Sequence, residues 1–320
     1  MAFKHAHIIN QRTLVKSISY VGIGLHTGKK VKMIVKPAEE NTGIVFIRTD
    51  IKDKNNIVFA HWSRVVNTTL STVIGNNDEI TVGTIEHLMA ALSGCGVDNA
   101  LIEIDGPEVP IMDGSAAPFV SVIEQIGTID QTVSRNAILI NRPVEVREGD
   151  KYSILMPSYT PRITVEIDFE QQVIGSQTFS VALVNEAFRK NIARARTFGF
   201  SSELQQLRHQ GLAKGGSLKN AVLVDGERIV NDEGLRFENE FVRHKILDAM
   251  GDLALLGVPV IGHLYGYKIG HKLNNLLIKQ LLSIPDAWSY TTMADIYSLI
   301  GDQTDKHSKQ IEVVRRQISA

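Results

Sequence analysis

The sequence has a single cysteine, Cys95, in 320 residues. That excludes an internal disulfide, fits a reducing compartment, and removes any thiolate-based zinc site. No excess of one charge is present either: the net charge is -1, so no global field draws the chain to nucleic acid or to an anionic membrane. Long apolar runs are missing. The longest, "LALLGVPVIG" (253–262), is too short to span a bilayer and carries Pro259. "MAFKHAHIINQRTLVKS" lacks the apolar centre of a secretion signal, so a cytoplasmic location with no membrane span is expected. Low-complexity segments are absent. What remains, 43% hydrophobic and 22% charged residues, is the composition of a soluble globular protein. Any metal here must be held by His, Asp and Glu.

The order of elements repeats. Strand-like "KKVKMIVKP" (29–37) and "TGIVFIRTD" (42–50) lead to the helical "GTIEHLMAALSG" (83–94) and back to the strand "NALIEIDG" (99–106). In the second half "AILINRPVEVREGDKYSILMP" (137–157) and "PRITVEIDF" (161–169) lead to the helix "FVRHKILDAMGDLALLG" (241–257) and the apolar strand "VPVIGHLYGYK" (258–268). This predicts two α+β domains of like topology, joined near residues 128–136. The first covers 1–130 with Glu86 and His87. The second covers 134–305 with His244, Asp248 and His271, and a polar tail fills 306–320.

His244, Asp248 and Asp252 recur every four residues on the predicted helix, in one slowly turning stripe. Such a stripe suits a solvated face, but a His and an Asp at i and i+4 also place nitrogen and oxygen on one ion. From this helix alone the two readings are even. Each half carries a histidine on its first long helix, His87 and His244. Should those helices face one another, His87, His244 and Asp248 form a three-donor site with room for water, the catalytic zinc pattern. Glu86, beside His87, is then placed to accept a proton, although a helix N-terminus favours an acid in any case. His271, in a glycine-punctuated turn, becomes a proton donor if Asp252 pairs with it. Thr197 in "RARTFGF" is either strand filler or a donor to an oxyanion. "GIGLHTGKK" (22–30) misses both nucleotide-binding glycine spacings and reads as a tight turn between strands. His26 within it is ambiguous, and the other histidines have no ligand-spaced partner.

"TIEHLMAALSGCGVDN", "VPIMDGSAAPF", "ARTFGF", "GLRFENEFVRHKILDAMGDLALLG" and "GHKLNN", in this order, resemble the UDP-3-O-acyl-N-acetylglucosamine deacetylase family along essentially the whole chain. The resemblance implies a zinc amidase at the committed step of lipid A synthesis. It implies two domains of similar β-α-α-β layering with helices packed between the sheets, each domain with a small insert. It also implies zinc on His87, His244 and Asp248, with Glu86 as general base, His271 as cationic acid, Asp252 orienting that histidine, and Thr197 holding the oxyanion. Lys245 lines the substrate cleft on this reading, Phe198 and Lys268 touch the substrate, and the insert near 198–216 forms the lip of an acyl passage. The expected partner is an acylated UDP-amino sugar, and the expected state is a monomer. "NTTLST" (67–72) departs from some relatives in carrying hydroxyls where they carry Met or Cys.

Overall fold

The computed structural model describes residues 8–300, residue 185 excepted. The tail expected at 306–320 and the end of the second expected domain lie outside the described residues.

The architecture is α+β and rests on two five-stranded sheets with the same wiring. In the first, the spatial order is Ile18–Ile23, Lys30–Pro37, Ala100–Ile104, Ile44–Arg48, Ile57–Phe59. In the second it is Val144–Glu148, Lys151–Met156, His263–Tyr267, Arg162–Asp168, Ser176–Ala182. Each sheet is antiparallel except at one place, where the central strand runs parallel to the third strand in chain order. A parallel pair needs a long crossover. That crossover carries helix α1 (Glu86–Gly94) in the first half and, after helices α2 (Ala117–Ile126), α3 (Ala187–Asn191) and α4 (Ser201–His209), helix α5 (Glu240–Leu253) in the second. Helix α6 (His271–Ser283) then follows the second central strand as α2 follows the first. The predicted repeat of element order is therefore a repeat of strand pairing.

Period-two patterning explains the sheets. In Lys30–Pro37, Val31, Met33 and Val35 are buried while Lys30 and Lys32 face solvent. Helices α1 and α5 obey a different rule. Every residue from Glu86 to Leu92 is buried, and on α5 Phe241, Val242, Ile246, Leu247, Ala249, Met250 and Leu253 are buried together with His244, Asp248 and Asp252. A helix buried all round is an interior element. The solvated-face reading of the His244–Asp252 stripe is thereby excluded. α5 packs on α1, on α6 and on the strand Arg162–Asp168, and α6 lies over Val144–Glu148 and Lys151–Met156. Among the described residues the larger of two apolar cores runs from Leu14 to Ala287 through both halves, and a small one gathers Ala137, Ile261, Met293 and Ile296.

Two segments depart from the sequence reading. "VPVIGHLYGYK" is two strands rather than one: Val260–Ile261 pairs with Asn136–Ile140, while His263–Tyr267 joins the second sheet. The break falls at Gly262, where a Cβ would lie 2.6 Å from Ile140 Cγ1 and 3.0 Å from the Met156 carbonyl oxygen. The junction expected near 128–136 is itself a strand, Thr128–Ser134, paired with Asn10–Leu14 near the chain's start.

The α1–α5 crossing depends on Gly251. A Cβ there would stand 2.1 Å from the carbonyl oxygen of Glu86 and 2.9 Å from its Cα. Glycine inside a helix costs about 1 kcal/mol relative to alanine, so its presence here reflects the close approach. Gly251→Ala is expected to lower stability by about 1–3 kcal/mol through overpacking, read as a lower melting temperature. Unchanged melting would mean that the crossing tolerates separation.

Candidate active site

The α1–α5 crossing sets His87, near the start of α1, against His244 on α5. Their rings meet edge to face with centroids 5.0 Å apart. Both Nε2 atoms turn to the same carboxylate oxygen, Asp248 Oδ1, at 3.7 Å from His87 and 3.3 Å from His244. All three side chains are buried, and their donor atoms lie within 4.8 Å of one another. Two donors on one tetrahedral ion, each about 2.1 Å from it, stand about 3.4 Å apart. The observed separations suit a shared ion better than direct hydrogen bonds.

Charge and bonding support the same reading. Burial, aided by His244, pushes the His87 imidazole down to about 3, so it is neutral and free to ligate. Burial likewise lowers His244, whose Nδ1 donates to the Ala195 carbonyl at 3.0 Å. That bond fixes the tautomer that leaves Nε2 as the ligand. Burial opposes charge on Asp248, but His244 and Lys245 hold its carboxyl far below the usual carboxylate range. Lys245 Nζ donates to Asp248 Oδ2 at 2.9 Å, leaving Oδ1 for the ion. The donor set, two neutral imidazoles and one ionised carboxylate, fits a divalent cation of the zinc type.

Beside this group lies an acid–base pair. His271 Nδ1 contacts Asp252 Oδ2 at 2.9 Å, and its Nε2 stands 3.7 Å from Glu86 Oε1. Burial alone would depress His271. The carboxylates of Asp252 and Glu86 outweigh it and lift the imidazole to about 10. Burial raises Glu86 to about 7, against the pull of His271. One group is thus held charged to high pH while its neighbour titrates near neutrality, the separation that acid–base work requires. His271 is the first residue of α6, not part of a turn. The turn precedes it, and Lys268 there sits at φ +52°. A helix N-terminus disfavours a cation, so the carboxylates overcome that as well.

Of the remaining predicted residues, two adjoin this centre and one does not. Thr197 follows, by two positions, the carbonyl that orients His244. Its N–H donates to the Gly114 carbonyl at 2.8 Å, and its own carbonyl accepts from Val222 N–H at 2.8 Å. Phe198 packs edge-on to Phe241 and lies 6.3 Å from the His244 ring and 5.7 Å from Lys245 Nζ, in centroid terms. Lys268 stands apart from the buried cluster, with Nζ between Asp150 and Asp168.

Several contributors were not read from the sequence. Thr72 Oγ1 donates to Asp252 Oδ1, and Asn274 Nδ2 donates to Asp252 Oδ2. Asn274 lies three residues past His271, one helical turn on the same face, a spacing that would have flagged it once α6 was seen. Arg196 and Glu240, both fully buried, form a bidentate pair that anchors the 195–197 segment. Arg236 ties the same region to Asp113 of the "MDGS" turn. Burial lowers the His26 imidazole against the pull of Glu108, and the charge of His271 adds to the fall. The turn carrying His26 is held by Glu108, which accepts from the N–H groups of His26 and Thr27 and from the hydroxyls of Thr27 and Thr84.

Residues 11–283 match the family described as UDP-3-O-acyl N-acetylglycosamine deacetylase. A protein of Phenylobacterium zucineum named UDP-3-O-acyl-N-acetylglucosamine deacetylase is 49% identical over 285 residues, 89% of this chain and 97% of the relative. One of the same name from Syntrophus aciditrophicus is 43% identical over 308 residues, 96% of this chain and 97% of its own length. Another, from Idiomarina loihiensis, is 46% identical over 288 residues, 89% of this chain and 94% of its own.

A divalent ion at the three donors is expected to stabilise the fold. At an ion concentration about a hundred times its dissociation constant the gain is about 2.7 kcal/mol. Chelation should lower the melting temperature and zinc should restore it, whereas His244→Ala should abolish the response. An ion-independent melting temperature in the unsubstituted protein would contradict the site.

Proposed function

The chain belongs to the UDP-3-O-acyl-N-acetylglucosamine deacetylase family, and on that footing we propose that the His87–His244–Asp248 site, with Glu86 and His271, carries out its reaction. The enzyme removes the N-acetyl group of UDP-3-O-acyl-N-acetylglucosamine in lipid A biosynthesis. Water adds to the acetamide carbonyl, the C–N bond breaks, and acetate and the free 2-amino sugar nucleotide leave. The observation that carries the assignment is the 3.7 Å approach of His271 Nε2 to Glu86 Oε1 beside the three donor atoms. A base and an acid that close reach the two sides of one amide.

Zinc is the ion assigned to His87, His244 and Asp248; when bound it supplies Lewis acidity to water and carbonyl. Glu86, ionised, accepts the proton of the attacking water. Thr197 donates its hydroxyl to the developing oxyanion, and the charge of His271 stabilises it from the other side. His271 then protonates the departing nitrogen, because an amide nitrogen does not leave as an anion. Asp252 holds Nδ1 of that ring, so the transferable proton sits on Nε2. Lys245 lines the cleft, and Phe198 and Lys268 contact the substrate. The insert near 198–216 begins in a cluster of Phe169, Phe198 and Phe200, which supports an apolar lip for the 3-O-acyl chain.

The same reading takes the chain as two domains, 1–130 and 134–305, acting as a cytoplasmic monomer without nucleic-acid partners. Among the described residues no helix is long and apolar enough to cross a membrane.

The pH profile follows from the two shifts. Glu86 works ionised, so activity rises with pH through about 7. His271 works protonated, so activity falls as pH passes about 10. A cation beside both groups moves each limb to lower pH. Glu86→Gln should keep the ion and lose about a hundredfold or more in kcat. His271→Ala should lower kcat and remove the alkaline limb; an intact alkaline limb would assign the acid elsewhere. Acetate release measured across pH checks all three. Shortening the 198–216 segment should reduce kcat/KM for long-acyl substrates more than for short ones, and equal losses would remove the passage.

A further inference from the structure

We propose that Thr72 is a positioning residue for proton transfer, holding the base and the acid's partner in register across the seam between the two halves. The inference rests on the roles given above to Glu86, Asp252 and His271.

Thr72 is only 2% exposed and uses every polar group it has. Its N–H donates to Glu86 Oε2 at 3.1 Å. Its hydroxyl donates to Asp252 Oδ1 at 2.5 Å. Its carbonyl accepts from the N–H of Ile85, the residue before α1, at 3.4 Å. One residue of the first half therefore grips the base on α1 and the carboxylate on α5. Asp252 Oδ2 is already taken by His271 and Asn274, so Thr72 is the partner that fixes its other oxygen. With both oxygens held, the carboxylate plane cannot rotate, and the ring bonded to it keeps Nε2 directed at Glu86.

The chain bends to place this residue. Leu70 lies at φ +62°, a left-handed conformation that a leucine adopts only under constraint. The strand Val73–Gly75 then starts directly after Thr72. Backbone strain beside a site persists where surrounding contacts over-determine it, and Ser71 and Thr72 are both buried. A hydroxyl suits the task. It donates without adding a charge that would compete with His271 for Asp252, and its methyl group fixes the rotamer.

The test compares Thr72→Val, which keeps the shape and the main-chain bond to Glu86, with Thr72→Ser, which keeps the hydroxyl. Acetate release from UDP-3-O-acyl-N-acetylglucosamine by the metal-loaded protein is the readout. Losing a hydrogen bond to a buried carboxylate should lower kcat about tenfold to a hundredfold, with KM changed by less than about twofold. Serine should recover most of that loss. In an Asp252→Ala background Thr72→Val should have almost no further effect, because the two act as a unit. Three results would each overturn the role: a valine variant with wild-type kcat, a serine variant no better than valine, or a full valine effect without Asp252. If the valine variant does not fold, Thr72→Ala is compared with serine in the same way. Absence of acetate release by the unsubstituted protein would sink the function itself; wild-type kcat in the valine variant would sink only the part given to Thr72.

Discussion

Everything at the site depends on how closely two interior helices cross. α1 and α5 meet where Gly251 leaves no side chain against the backbone of Glu86. That contact belongs to neither half alone. It brings a histidine from the first half to within reach of a histidine and an aspartate from the second, and sets a glutamate of one half beside an imidazole of the other. A wider crossing would part the three donor side chains directly, and would draw Glu86 on α1 away from Asp252 on α5, the carboxylate that holds His271 at the start of α6.

The polar groups gathered there would be unfavourable in isolation. Glu86, His87, His244, Asp248, Asp252 and His271 are all buried, and unpaired buried charge is costly. The arrangement divides them into two sets. Burial keeps the His87 and His244 imidazoles neutral, whereas carboxylates keep His271 charged against the same burial. Identical side chains in one buried cluster thus hold different charge states, and the neighbours of each decide which.

The proximity of the candidate donor residues was more legible in the sequence than the long-range contacts around them. His244 and Asp248 announce themselves by a four-residue spacing, and Glu86 by standing next to His87. These are local relations, and helical geometry converts them directly into proximity. The repeated order of strands and helices likewise survived as repeated strand pairing. What stayed hidden depends on contacts distant in sequence. Thr72 meets Asp252 across 180 residues, and no periodicity marks it. Arg196 pairs with Glu240 across 44 residues, where either could pass for a surface charge. The break falls at Gly262, where Ile140 and Met156 leave no room for a side chain, and nothing in the apolar run around it marks that crowding. The start of α6 was missed because Gly270, directly before His271, reads as a turn.

The wiring of the sheets bears on how the molecule is made. In each, the strand that ends up in the middle is the last of the five to leave the ribosome, after a whole crossover helix and an insert. Until it arrives, two antiparallel ribbons wait with open edges facing a gap, and their neighbouring strands are free to join each other wrongly. Ala100–Ile104 and His263–Tyr267 are in this sense keystones. Non-local closure of this kind is slow and prone to aggregation, so the time before each keystone is seated is when a nascent chain gains most from a chaperone.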